Sequence, residues 1–191
     1  MVRHAARALP WPLLAAGLAL TYVLLRMVEQ WPYEMWPLQG VAVGLVAGVA
    51  AYAYDEPAAA VVDTLPRGLA WRTAARSLGV LLLLGWWCLC VVVTQSAYFG
   101  HARAVAWQGL AATVAVVAVV THLRRRGLAS PATLVGTAVV GGATYLALAR
   151  PFEDRLPLFP HTDGGPWSDS RTWWTGVLVA TAVWLVATLR R

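Results

Sequence analysis

The sequence has no lysine and few charged residues of any kind. Only 13% of its 191 residues are charged, whereas soluble domains carry about 25%. Since 59% of the residues are hydrophobic and the mean hydropathy is +0.60, this shortage excludes a disordered chain and argues against a soluble globular domain. All 15 basic residues are arginines that lie between apolar runs. The net charge of +6 therefore indicates membrane topology, with no nucleic-acid partner.

Sequence patterns that carry chemistry are also missing. Cys88 and Cys90 are one residue apart, so on a helix they face about 200° apart and cannot form a disulfide or a shared metal site. No zinc-ligand spacing and no nucleophile–base pattern is present. His101 and His122 lie near opposite ends of one apolar run, so they do not offer haem ligands at matching depth. We expect a non-catalytic chain that binds no cofactor or metal itself.

Six continuously apolar runs stand out, and they predict an all-α, polytopic membrane protein with one transmembrane domain. Each run has about 17–22 residues, enough for a helix to cross about 30 Å of hydrocarbon. The runs lack the period-two alternation of barrel strands. The first follows Arg3 and Arg7 but is too long for a typical signal peptide, so we expect a retained span. The predicted spans are 9–28, 38–54, 77–98, 104–122, 131–149 and 173–189.

The arginines predict the orientation of these spans. With the N-terminus inside, ten arginines fall on the cytoplasmic side and five on the outer side. Positive residues are enriched in cytoplasmic loops. Both termini are therefore expected in the cytoplasm, in a multi-pass protein of the bacterial inner membrane.

Two features inside the spans suggest close packing or a cavity. Gly40, Gly44 and Gly48 recur every four residues, so they form a small-residue strip on one helical face. The strip predicts close approach of another helix, from this chain or from another subunit. Trp86 and Trp87 lie in the middle of the third span, where they either pack against neighbours or line a cavity for an apolar substrate.

The segment between spans two and three, 55–76, predicts a short helix on the cytoplasmic surface over about 57–65. Apolar residues fall there at helical spacing, and prolines lie near both of its ends. The helix either anchors to lipid or docks on a protein partner. The candidate docking residues are Asp55, Glu56, Val61, Val62, Asp63, Leu65 and Arg67.

The Asp55-Glu-Pro-Ala-Ala run, followed by a proline, a basic stretch and a leucine-rich span, resembles small actinobacterial ABC transporter permease subunits of the six-span exporter class. That resemblance implies that the loop between spans two and three is a coupling helix that docks on an ATPase subunit. It also implies a re-entrant outer element, here within 150–172. No phosphate-binding loop of the G-x-x-x-x-G-K-[ST] type is present, so ATP and Mg²⁺ would be bound by the partner chain.

The sequence thus predicts the transmembrane subunit of an ABC-type exporter for a hydrophobic or amphiphilic substrate. Its partners would be the ATPase, a second membrane subunit that is identical or paralogous, and the lipid bilayer. One alternative is a non-transporting scaffold or accessory subunit that uses the glycine strip to bind a partner. Another is a membrane-embedded enzyme or redox subunit, for which the runs offer few polar groups: Tyr22, Thr94, Gln95, Gln108 and Thr144.

Overall fold

The computed structural model describes residues 9–54, 69–128, 130–151 and 155–190, without the side chains of 69–72 and 75. The described chain is all-α, as predicted. It contains six α-helices: α1 (Trp11–Gln30), α2 (Pro37–Ala53), α3 (Leu69–Val93), α4 (Ala102–Arg125), α5 (Ala132–Ala149) and α6 (Trp167–Arg190). A short 3-10 helix, Gln95–Tyr98, follows α3. The predicted surface helix over 57–65 and its candidate docking residues lie outside the described residues.

Five of these helices are long and apolar enough to cross a membrane: α1, α3 over Arg76–Val93, α4, α5 and α6. The chain is therefore a multi-pass membrane protein, as its composition predicted. Helix α2 is apolar but has only 17 residues, which corresponds to about 25 Å at 1.5 Å per residue. It is also the most buried of the described helices, with 12 of its 17 residues buried, and from this central position it packs against α1, α3, α4 and α5.

The helix boundaries differ from the predictions at three main places. Helix α3 begins at Leu69, eight residues before the predicted start of span three. Span three was predicted to continue to Tyr98. Helix α3 instead ends at Val93, and a single 3-10 turn follows it. Helix α3 ends because Thr94 leaves the helical conformation (φ −100°, ψ 22°). Phe99 and Gly100, both at positive φ (49° and 85°), then end the 3-10 turn. The outer segment was predicted to extend to Thr172, but α6 begins at Trp167. Pro166 precedes it and is well suited to a helix start.

The glycine strip of α2 faces α5 of the same chain. A Cβ atom added at Gly44 would lie 2.5 Å from the Cβ atom of Ala143, and one at Gly48 would lie 3.2 Å from the carbonyl oxygen of Gly136. Such distances leave no room for a side chain. The helix that approaches the strip closely is therefore α5 of the same chain. Of the two partners that the spacing allowed, this is the intrachain one.

The connections between helices lie at two ends of the bundle, which we call end A and end B. End A holds the α1–α2, α3–α4 and α5–α6 connections, since Tyr33 lies beside Phe99 and Trp36 stacks on His161. At end B, Arg76 donates a hydrogen bond to the carbonyl of Ala53. The start of α1 and the end of α6 also lie at end B, because successive helices run in opposite directions.

Candidate functional site at end A

A buried polar network joins three helices and the α5–α6 connection at end A. The Gln39 side chain on α2 donates a hydrogen bond of 2.9 Å to the Oε1 atom of Gln108 on α4. The Nε2 group of Gln108 lies 3.2 Å from the carbonyl oxygen of Leu158 and 3.2 Å from the Oγ atom of Ser170 on α6. Gln39, Gln108 and Ser170 are each at most 3% exposed. In an apolar surrounding, these amides are stable only because they satisfy one another.

The carbonyl oxygen of Leu158 is the centre of this network. It accepts hydrogen bonds from Gln108, from Ser170 at 3.0 Å and from the indole of Trp174 at 3.0 Å. The next residue, Phe159, is buried and contacts the Trp174 ring. The connection is therefore anchored into the bundle by its backbone as well as by an apolar side chain, and it covers α2, α4 and α6 at this end.

A small cleft of about 80 Å³ lies beside the network. Its polar wall is formed by Arg150, whose guanidinium lies 4.5 Å from the centre of the Trp36 ring, and by His161, which stacks on the same ring at 4.1 Å. Arg150 also lies 3.2 Å from the Nδ1 atom of His161. Arg150 has a positive φ of 47°, and this left-handed residue ends α5 and turns the chain towards the cleft. The volume has room for two or three water molecules, which is well below the roughly 300–1,000 Å³ typical of small-molecule pockets.

The charge of Arg150 affects the titration of His161. Burial lowers the pKa of the imidazole below its usual 6.5, and the neighbouring positive charge of Arg150 lowers that pKa further. The neutral ring, whose Nδ1 atom accepts a hydrogen bond from Arg150, is the form that this arrangement favours.

This shift predicts that the protein becomes less stable in mild acid. With a pKa lower in the folded than in the unfolded state, the unfolded state binds more protons between the two values, so stability is lost as the pH falls below about 6.5. His161→Gln keeps an acceptor for Arg150 but cannot titrate. We therefore expect its unfolding midpoint in detergent to change less between pH 7.5 and pH 5.5 than that of the wild type. Arg150→Gln should weaken the dependence only in part, because burial remains. Equal pH profiles for the wild type and His161→Gln would contradict this assignment.

The predicted tryptophan pair points to two different neighbours. Trp87 is fully buried, donates a hydrogen bond of 3.1 Å to the carbonyl of Ala106 and lies directly against Gly109 of α4. Trp86 is partly buried and donates to the carbonyl of Leu18 on α1. Both tryptophans therefore pack against neighbouring helices. Of the two interpretations of the pair, packing or the lining of a cavity, these contacts fit packing.

From the sequence, Gln108 was predicted only as a polar group within an apolar run, and its partners Gln39, Ser170 and Leu158 were not identified. One signal was available: Gln39 and Gln108 are amides near the ends of apolar runs, where an unsatisfied amide is costly. Their pairing, and the use of a backbone carbonyl, required the fold. Among the described residues, no group of three or more histidine, cysteine or acidic side chains is placed to hold a metal ion.

Searches of protein-family models, of curated proteins and of solved structures found no match to this chain.

Proposed function

We propose that this multi-pass membrane protein is the transmembrane subunit of an ABC-type exporter in a bacterial cytoplasmic membrane. A separate ATPase chain binds ATP and Mg²⁺, and a second membrane subunit, identical or paralogous, completes the path. The substrate is hydrophobic or amphiphilic, in keeping with the apolar helices. Helix α2 acts as a sixth span, which its central position supports because neighbouring helices shield it from lipid.

The position of the α2–α3 connection supports this proposal most directly. The connection leaves the central helix at end B, and the residues on either side of it are joined there: Tyr54 and Ser77 share a side-chain hydrogen bond of 3.0 Å, and Arg76 donates to the Ala53 carbonyl at 3.3 Å. A force applied to this connection would thus reach α2 and α3 together. Since α2 contacts four other helices, its displacement would alter the whole bundle.

In this mechanism end B faces the cytoplasm, as the arginine distribution favours, and end A is the exit. Release of substrate at end A would require the Gln108 network to open, because that network holds α2, α4 and α6 against one another. ATP binding on the partner supplies the required work through the α2–α3 connection.

The test is co-purification of an ATPase chain with the wild type and with a Val62→Asp/Leu65→Asp variant. If the apolar face of the predicted 57–65 helix enters a groove on the ATPase, two buried carboxylates should abolish the contact, because buried apolar anchors dominate such interfaces. We expect an ATPase with the wild type and little or none with the double variant. An Ala58→Ser variant is the control, since it changes the same helix without adding charge.

Insertion of the double variant is checked with reporter fusions after Arg191 and within 163–170, which should report opposite sides of the membrane. If no ATPase accompanies the wild type, or if the double variant retains it fully, the proposal is wrong.

The scaffold alternative loses the feature on which it rested. The Gly40, Gly44 and Gly48 strip is covered by α5 of the same chain, so it is not open to a partner. A scaffold would have to use a lipid-facing surface instead, such as that of α6.

A further inference from the structure

A second and larger groove lies at end A between the first turns of α4 and α6. Its volume is about 530 Å³, and it is separate from the cleft beside the Gln108 network. Arg103 on α4 and Arg171 on α6 line it from its two sides. Both arginines are exposed.

Neither guanidinium has a hydrogen-bond or ion-pair partner within the described part of the chain. The described acids of end A form no ion pair with them. Glu29 pairs with Arg26 and accepts from Ser96, Asp169 accepts from Ser168, and neither Glu34 nor Asp163 pairs with either groove arginine. In the groove at end B, one of the two lining arginines is engaged: Arg125 donates to the carbonyl of Thr188 at 2.5 Å, while Arg126 also lines that groove. Within the described residues, the groove at end A thus carries two exposed arginines that have no ion-pair partner.

The walls of the groove are aromatic and fixed in place. The His101 ring stacks on Trp167 with centres 4.7 Å apart and planes 13° from parallel. Across the groove floor, the Trp107 indole donates a hydrogen bond of 3.0 Å to the hydroxyl of Thr175. These contacts hold α4 and α6 at a set distance, so the arginines flank a site that is formed before any ligand arrives.

Beyond the groove, the surface of α6 exposes apolar side chains, as a lipid-facing helix does. Only three residues of α6 are buried, and Val179 and Val183 are 57% and 65% exposed further along the helix. Arginine and tryptophan at the ends of a spanning helix are found at headgroup level. A ligand in this groove would therefore have its charged group between the arginines and its apolar part along the helix.

We propose that this groove binds the phosphate headgroup of an anionic phospholipid in the leaflet at end A. Guanidinium groups bind phosphate oxygens in paired hydrogen bonds, and the indole rings suit the adjoining glycerol and upper acyl region. A zwitterionic lipid brings a cation next to the same two arginines, so the groove discriminates by net charge. This inference depends only on the membrane location of the chain and is independent of the exporter proposal.

The test is a titration of the purified full chain in detergent with phosphatidylglycerol, with phosphatidylcholine and with inorganic phosphate, with bound lipid counted by native mass spectrometry. We expect phosphatidylglycerol to bind more tightly than phosphatidylcholine, and inorganic phosphate to leave lipid binding unchanged. Arg103→Gln/Arg171→Gln should weaken phosphatidylglycerol binding by on the order of tenfold or more, since the headgroup then loses both of its guanidinium partners. Arg155→Gln removes one exposed charge at the same end but outside the groove. It is the control for Arg171→Gln and should weaken binding much less.

Equal binding of the two lipids, or equal losses for Arg171→Gln and Arg155→Gln, would overturn the proposal. Competition by inorganic phosphate at millimolar concentration would show a free-anion site and would also overturn it. Because both groove arginines are exposed, the double variant is expected to fold; Arg171→Gln alone gives the same test with a smaller change if it does not.

Discussion

Replacing Gly44 with leucine should destabilise the folded bundle by about 3 kcal/mol or more, at or beyond the upper end of the usual cost of overpacking. A Cβ atom at this position already lies 2.5 Å from the Cβ atom of Ala143 and 3.3 Å from the carbonyl oxygen of Val139. A leucine adds three further carbons, so α2 and α5 must separate. Because α2 is central, the separation disturbs the contacts of the other helices too.

The measurement is the thermal unfolding midpoint in detergent, for which we expect a fall of on the order of 10 °C. Gly141→Leu is the matched control, since it is the same substitution on α5 at a glycine that has no neighbour within 4 Å. Its midpoint should stay close to that of the wild type. Equal midpoints for Gly44→Leu and the wild type would show that α2 and α5 do not pack in this way.

A rescue experiment makes the assignment specific to one contact. Gly44→Ala should destabilise the bundle because its new methyl group meets the methyl group of Ala143. The double variant Gly44→Ala/Ala143→Gly removes that conflict and should recover much of the lost stability. If the two changes are additive, the residues are not in contact.

The second large effect is expected at Gln108, where leucine should cost about 2–3 kcal/mol. The substitution removes three hydrogen bonds and leaves the buried amide of Gln39 without its acceptor, and an unsatisfied buried group costs about 1–3 kcal/mol. Interhelical hydrogen bonds in membranes average about 0.6 kcal/mol, so the orphaned amide accounts for much of the total. The midpoint of unfolding in detergent reports the loss, with Gln95→Leu as the control at an exposed glutamine.

The partner variant separates the orphaned amide from the lost bonds. Gln39→Leu/Gln108→Leu removes both amides, so it should be less destabilised than the sum of the two single variants. Additive effects would mean that the two glutamines act separately, contrary to the hydrogen bond between them.

The sequence was sufficient to predict helices and a membrane environment, because both follow from the length and hydropathy of apolar runs. It was less informative about where helices end. The end of α3 depends on the non-helical backbone of Thr94, and the end of the 3-10 turn depends on positive φ at Phe99 and Gly100. No apolar pattern reports these backbone angles. Helix α6 begins before the apolar run because polar residues such as Ser168 and Asp169 also form its first turn.

In the candidate sites too, features set by neighbouring residues could be predicted from the sequence, whereas contacts between distant residues could not. The spacing of the α2 glycines identified a face but not the helix that covers it. Gln39 and Gln108 are 69 positions apart, so their pairing depends on how α2 and α4 pack. The groove at end A was not foreseen either, since Arg103 and Arg171 had been counted only as charges that orient the chain.

The late contribution of α6 to the Gln108 network has a consequence for biosynthesis. Ribosomes complete α4 before α6, so Gln108 enters the bilayer before Ser170 and Trp174 exist to complete its surroundings. Until then the Nε2 group of Gln108 lacks its acceptors at Leu158 and Ser170, and an unsatisfied amide inside a membrane is costly. The last helix to be made is therefore the one that completes the hydrogen bonding of this buried amide.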